Sequence, residues 1–326
     1  MIAVAGSLAG ILPANALLAL ASATAWGGGD FSGGMGVKAA GGSAAGALRV
    51  VLVAHASSLA VLLGIVWLQH APVPHGAPLA WGIVAGVTAG ISLTAFYIAR
   101  ARGAMGASAA LSGLLAAAIP AAVSSVLEGV PGTLRLLGFA LALASIWLIA
   151  AGPSPEAGHS VDGSVSPTAR SDARANLVLA LIGGIGFGIY FVALRLANPL
   201  GEFEPMALAR AASLVTCALL LLFVTLRKTT HRGAPSAKGS SSGRGGFWLP
   251  RAAIGWALGV ALLDTGGNLL FIASTRVGRL DVAAVLASLY PAGTILLAAW
   301  RLHERPTRRQ LTGMAIALGA VVLITV

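Results

Sequence analysis

A single cysteine, Cys217, in a chain of 326 residues excludes an internal disulfide and any metal site built on cysteine pairs. Charge is scarce too: Asp, Glu, Lys and Arg supply 10% of the residues, against 57% hydrophobic, and the mean hydropathy is +0.88. A soluble domain of this length could not keep so much apolar surface from water, so an integral membrane protein is required. Aromatics make up only 6%, whereas glycine occurs 43 times; such a chain packs helix backbones closely instead of filling a bulky core. No Walker loop, nucleophile elbow or metal-ligand spacing occurs. Gly183, Gly184, Gly186 and Gly188 imitate a phosphate loop but lie inside an apolar run with no strand before it and no lysine. No metal, ATP or other cofactor is expected.

Acidic residues are outnumbered, 10 to 21. The basic ones fall between apolar runs instead of along one face, which suits loop charges that orient a membrane protein and not a nucleic-acid surface. Residues 1–20 are apolar without a basic leader, and the run continues past Ala19-Leu20-Ala21, so no cleaved signal peptide is expected.

What the chain does have is long apolar runs. Val282 to Trp300 and Leu311 to Val326 flank a charged knot, Arg301 to Arg309; each run approaches the roughly 20 residues that cross a bilayer, and the knot is too polar for hydrocarbon. About ten such spans follow from the whole chain: 14–37, 47–68, 79–100, 104–127, 133–151, 176–197, 206–226, 252–275, 282–300 and 310–326. Runs of this length argue for helices, since barrel strands are about half as long and alternate. The fold class is therefore all-α and integral to the membrane. Residues 152–175, rich in Ser, Pro and Gly, read as a linker, and the basic, Gly/Ser-rich residues 227–251 as a flexible insertion.

The chain also repeats itself. Leu111 to Ala150 is a weaker copy of the closing hairpin; Phe31 matches Phe191, Arg49 matches Arg210, Tyr97-Ile-Ala-x-x-Arg102 matches Phe271-Ile-Ala-x-x-Arg276, and Glu128 matches Glu304. The halves are 14–151 and 176–326. Five spans in each is an odd number, so the copies enter the membrane from opposite sides, and folds of that kind place a substrate site near the midplane between the halves. On Trp26-Gly-Gly-Gly-Asp-Phe31 with Gly33-Gly34, Gly186-Phe-Gly-Ile-Tyr-Phe191, Leu286-Ala-Ser-Leu-Tyr-Pro291 with Thr294, and Glu304 with Gly313, the sequence resembles the EamA-type members of the drug/metabolite transporter superfamily over essentially all ten spans. It departs in its first half, where Pro120 falls several residues later than a match to Pro291 would require.

Several residues invite a role inside the membrane. Asp264 lies about 12 residues, some 18 Å of helix, from either end of its span, so its carboxylate must face the interior, pair or be protonated. Asn268, one turn on, shares its face. Asp30 sits among six glycines between Gly27 and Gly36, where Gly29 and Gly33 belong either to a close-packed small-residue face or to a site where backbone approaches ligand. His55, well inside the second span, is either a hydrogen-bonded packing residue or, near Asp30 or Asp264, a proton carrier. Trp26, Tyr97, Tyr190 and Tyr290 are candidates to line a cavity, Tyr290 foremost because Pro291 follows it. Glu128 and Glu304 end their spans beside prolines, and the resemblance puts them at the membrane boundary in helix-end or loop salt bridges.

The expectation is a secondary transporter in the cell membrane, surrounded by lipid, that exports a small organic metabolite such as an amino acid or a drug-like amphiphile. Alternating access, with a proton as a candidate coupling ion, would drive it. Two rivals stand beside it: a membrane-embedded enzyme acting on lipid-linked substrates, for which His70 and His75 are the nearest approach to a cluster, and a non-transporting assembly partner using residues 227–251. Oligomeric state is not read from the sequence. Orientation has two answers. Odd-numbered connections hold sixteen Lys and Arg and even-numbered ones five, which puts both termini outside, whereas the resemblance puts both inside. A reporter active only in the cytoplasm and fused after Val326 stays silent under the charge rule and turns on under the family arrangement.

Overall fold

The computed structural model describes residues 12–101, 105–150, 167–230, 249–302 and 306–325. Among these every regular element is helical: α1 Ala14–Ala39, α2 Ala44–Leu68, α3 Gly76–Ala101, α4 Met105–Leu127, α5 Thr133–Ala150, α6 Pro167–Ala197, α7 Glu204–Thr230, α8 Arg251–Val277, α9 Leu280–Ala287, α10 Tyr290–Leu302 and α11 Arg308–Thr325, with a short 3-10 turn at Asn198–Leu200. Among the described residues six stretches are long and apolar enough to cross a membrane: Ala44–Leu68, Gly76–Phe96, Arg174–Leu200, Glu204–Leu226, Arg251–Val277 and Leu280–Arg301; Ser112–Leu127 and Thr133–Ile149 are shorter apolar helices. The chain is a multi-pass membrane protein. The expected ten exceed these six partly because α1 carries Gly, Ser and Asp30 where a typical span carries Leu and Val.

Two boundaries differ from the sequence reading. α6 begins at Pro167, inside the stretch read as a linker, because proline at the first helical position loses no hydrogen bond and has its φ already set. Residues 152–166 of that linker and 231–248 of the basic insertion lie outside the described residues. The ninth span is two helices and not one. Pro291 has no N–H to give the preceding turn; Leu289 N closes on Leu286 O at 3.2 Å, and α10 starts afresh at Tyr290. All eight residues of α9 are buried, as befits a helix apolar on nearly every side and surrounded by others. Pro120, by contrast, sits within a continuous α4.

Large apolar side chains such as Trp67, Leu262 and Leu318 are more than 70% exposed, while the interior is rich in alanine. Ala16, Ala19, Ala117, Ala142, Ala257 and Ala283 are fully buried. This is the reverse of a soluble core and follows from having lipid outside: tails solvate leucine as well as protein does, so association comes from close backbone approach. The helix contacts pair off between the halves. Where α1 packs on α8, α6 packs on α3; where α9 and α10 pack on α1, α4 packs on α6; where α2 packs on α8, α7 packs on α3. The pairs α2 with α7, α4 with α9 and α5 with α11 join the halves directly.

Glycine permits the closest of these approaches. A Cβ at Gly86 would collide with the Ala209 carbonyl oxygen and the Ala212 methyl of α7, and neither backbone nor alanine can swing aside. Gly86→Val is expected to cost about 1–3 kcal/mol and lower the melting temperature in detergent by several degrees. Gly34→Ala, whose new methyl would meet nothing within 4 Å, should leave it unchanged or raise it.

Candidate functional site

The site is built around Arg210, in the second turn of α7 and only 3% exposed. Its Nη2 is in a salt bridge with Asp264 Oδ2 and donates to Thr265 Oγ1 at 3.1 Å, both on α8. Nη1 donates to His55 Nε2 on α2 at 2.7 Å. A guanidinium has donors only, so Nε2 is the acceptor, and the imidazole proton sits on Nδ1, 3.0 Å from Ser213 Oγ. His55 is thus the neutral Nδ1–H tautomer, assigned from its partners. One cation ties three helices together.

Asp264 stands at the centre of α8, with its side chain 29% exposed against 4% for that of Arg210. Oδ2 faces the guanidinium, and among the described residues Oδ1 accepts no hydrogen bond. Asn268 Nδ2 donates to the Asp264 backbone oxygen at 2.6 Å, and its Oδ1 accepts the Tyr190 hydroxyl at 2.6 Å. The shared face expected of Asp264 and Asn268 is present, but the amide oxygen is already spent on Tyr190.

These groups surround a cavity of about 80 Å³, several times what one water needs. Asp30, His55, Arg210, Asp264 and Asn268 supply its polar lining and Trp26, Phe96, Phe187, Tyr190, Phe191 and Tyr290 its aromatic lining. Trp26 stacks on Phe191 with ring centroids 5.1 Å apart and planes 6° apart, and meets Tyr290 edge-on at 6.5 Å. The lining comes from both halves of the chain.

Seven of the eight residues proposed for binding or coupling, Trp26, Asp30, His55, Tyr190, Asp264, Asn268 and Tyr290, therefore line one cavity. Tyr97 is on α3, with its side chain outside the described residues. Gly29 also lines the cavity, and a Cβ there would come within 3.3 Å of Asp264 N; the glycine packs α1 onto α8 next to Asp30, which lines the same cavity. Gly33 is buried on the same helix, α1 stays unbroken from end to end, and the discontinuity lies at Pro291 instead. Glu128 is at the bundle end, where its carboxylate accepts from Leu280 N at 3.0 Å and Ser124 Oγ at 2.7 Å and lies 3.5 Å from Arg195. Arg279 closes the same corner by donating to the Glu128 and Gly129 carbonyls and to Asp281. Glu304 lies outside the described residues. Arg210 itself was missed: the charge count treats it as a loop residue, although an arginine a few places inside an apolar run, with an aspartate inside another, is the signal of an intramembrane pair.

Fold and site together define a polytopic membrane protein with a charged, aromatic-walled cavity at its centre. The model of the EamA-like transporter family matches residues 175–326, and the resemblance to EamA-type transporters of the drug/metabolite superfamily holds. No curated protein matches. One solved crystal structure, described only as that of a protein, shares the fold over 96% of this chain and 98% of its own, with a TM-score of 0.65 at 16% identity.

The ion pair can be tested by a double-mutant cycle. Arg210→Ala strands a carboxylate in the interior and should lower the melting temperature sharply, whereas Arg210→Ala with Asp264→Ala should recover part of the loss, a coupling of about 0.5–3 kcal/mol. Additive losses would show that the two residues do not support each other.

Proposed function

We propose that this protein is a secondary transporter in the cell membrane that exports a small organic metabolite, an amino acid or a drug-like amphiphile. It works by alternating access between two inverted five-helix halves, 14–151 and 176–326, with a proton as the coupling ion. The observation that carries this reading is the Arg210–Asp264 pair lining a cavity drawn from both halves. An ion pair deep in an apolar bundle is costly to bury, and intramembrane ionisable groups mark substrate and ion pathways.

Further support comes from the pairing of helix contacts between the halves and from the broken ninth span, whose second piece brings Tyr290 to the cavity; discontinuous helices are a recurring feature of transporter sites. His55 suits a proton step. It is neutral and bonded to Arg210, and a proton on Nε2 would remove the acceptor and set two cations face to face, loosening the guanidinium from α2. The rival enzyme reading gains little from His70 and His75, each of which is exposed and bonded to a backbone carbonyl two residues before it.

With the purified chain in proteoliposomes and a solute taken from a metabolite-release screen, Asp264→Asn is expected to abolish flux driven by a pH gradient. Full gradient-driven flux in that variant would remove Asp264 from the coupling step.

A further inference from the structure

We infer that the cavity is built for a protonated amine carried on a small aromatic body, with the ammonium on Asp264 Oδ1 and the ring against the Trp26 wall. The inference rests on reading this cavity as the substrate site and adds the sign of the substrate's charge. The argument is one of which groups are already occupied. Arg210 is the cation that lines the cavity, yet three of its four Nη protons are directed at Asp264, Thr265 and His55. Its Nε lacks an acceptor but is sealed from solvent. A carboxylate coming into the cavity would meet the more exposed Asp264 before it met the guanidinium, and like charges at contact repel.

His55 is no better placed to hold an anion, since it is neutral, with Nε2 filled by Arg210 and its one proton directed at Ser213. Two carboxylates line the cavity, Asp30 and Asp264; in Asp264 the guanidinium holds Oδ2, while Oδ1 accepts no hydrogen bond among the described residues. The group that answers it is a charged N–H donor, and the resulting charge-assisted bond is of the stronger kind. The same cavity is lined by Trp26, Phe191 and Tyr290, with Trp26 in contact with both of the others. An aromatic wall adds cation–π attraction for the ammonium and apolar contact for a ring. A cavity of about 80 Å³ limits that body to a small one.

Equilibrium binding to the full-length purified chain in detergent separates the charge classes without requiring transport. By titration calorimetry 2-phenylethylamine should bind the wild type, and 3-phenylpropionate, similar in shape but anionic, about tenfold or more weakly. Asp264→Asn should weaken the amine by about the same factor, while Asp264→Glu retains it. Because a substitution at the ion pair can disturb folding, the wild type carries a second measurement. Labelling of the Asp264 peptide by a hydrophobic carbodiimide, read by mass spectrometry, should be slowed by the amine and not by the acid. Equal or tighter binding of the acid, undiminished amine binding in Asp264→Asn, or amine that neither binds nor protects the wild type would each overturn the inference. Amine binding without gradient-driven flux would instead overturn the transport reading alone, and flux of the acid without amine binding the inference alone.

Discussion

A guanidinium removed from water needs acceptors on every side it can reach, and in this bundle those acceptors come from different helices. Arg210 binds α7 to α8 through Asp264 and Thr265 and to α2 through His55. The geometry of these three helices is set by that demand as much as by apolar packing, because lipid gives apolar surface little reason to prefer protein. The rest of the site follows. Gly29 lets α1 lie against the backbone of Asp264, Asn268 is fixed by its bond to the turn below, and Tyr190 reaches across from α6 to hold the Asn268 amide. No two of these contacts could move far without the third.

The aromatic wall obeys a different rule. Trp26, Phe191, Phe271 and Tyr290 come from four helices and touch as a cluster, in a chain otherwise poor in aromatics. The cavity is thus lined by both polar and aromatic groups, and its contents are selected by both.

The helices were legible in the sequence because a long apolar run has few alternative fates, and the helix ends at 39, 68, 127, 197 and 277 fall within two residues of those read from it. Intramembrane polar residues were legible for the same reason: Asp264, Asn268 and His55 have nowhere to go but inward, and the structure brings them to one cavity. Two features did not show. The start of α6 at Pro167 was hidden because Ser, Pro and Gly belong to helix starts and linkers alike. Arg210 was hidden by its position. Near the end of a run an arginine can snorkel to the surface, and only the three-dimensional neighbour, a carboxylate 54 residues later, shows that it does not. What decides such a case is pairing between spans, which local pattern does not contain.

The charged cluster also has a history written in chain order. Arg210 follows its acceptor His55 by 155 residues and precedes Asp264 by 54. As the protein is synthesised, α7 reaches the bilayer with its cation unmatched by any carboxylate of α8, while the imidazole on α2 is already in place. A neutral acceptor installed early can receive that cation without itself having needed a counter-charge in the meantime. His55 is in this sense a provisional berth for Arg210, and the late arrival of α8 completes the electrical balance of a half-built bundle.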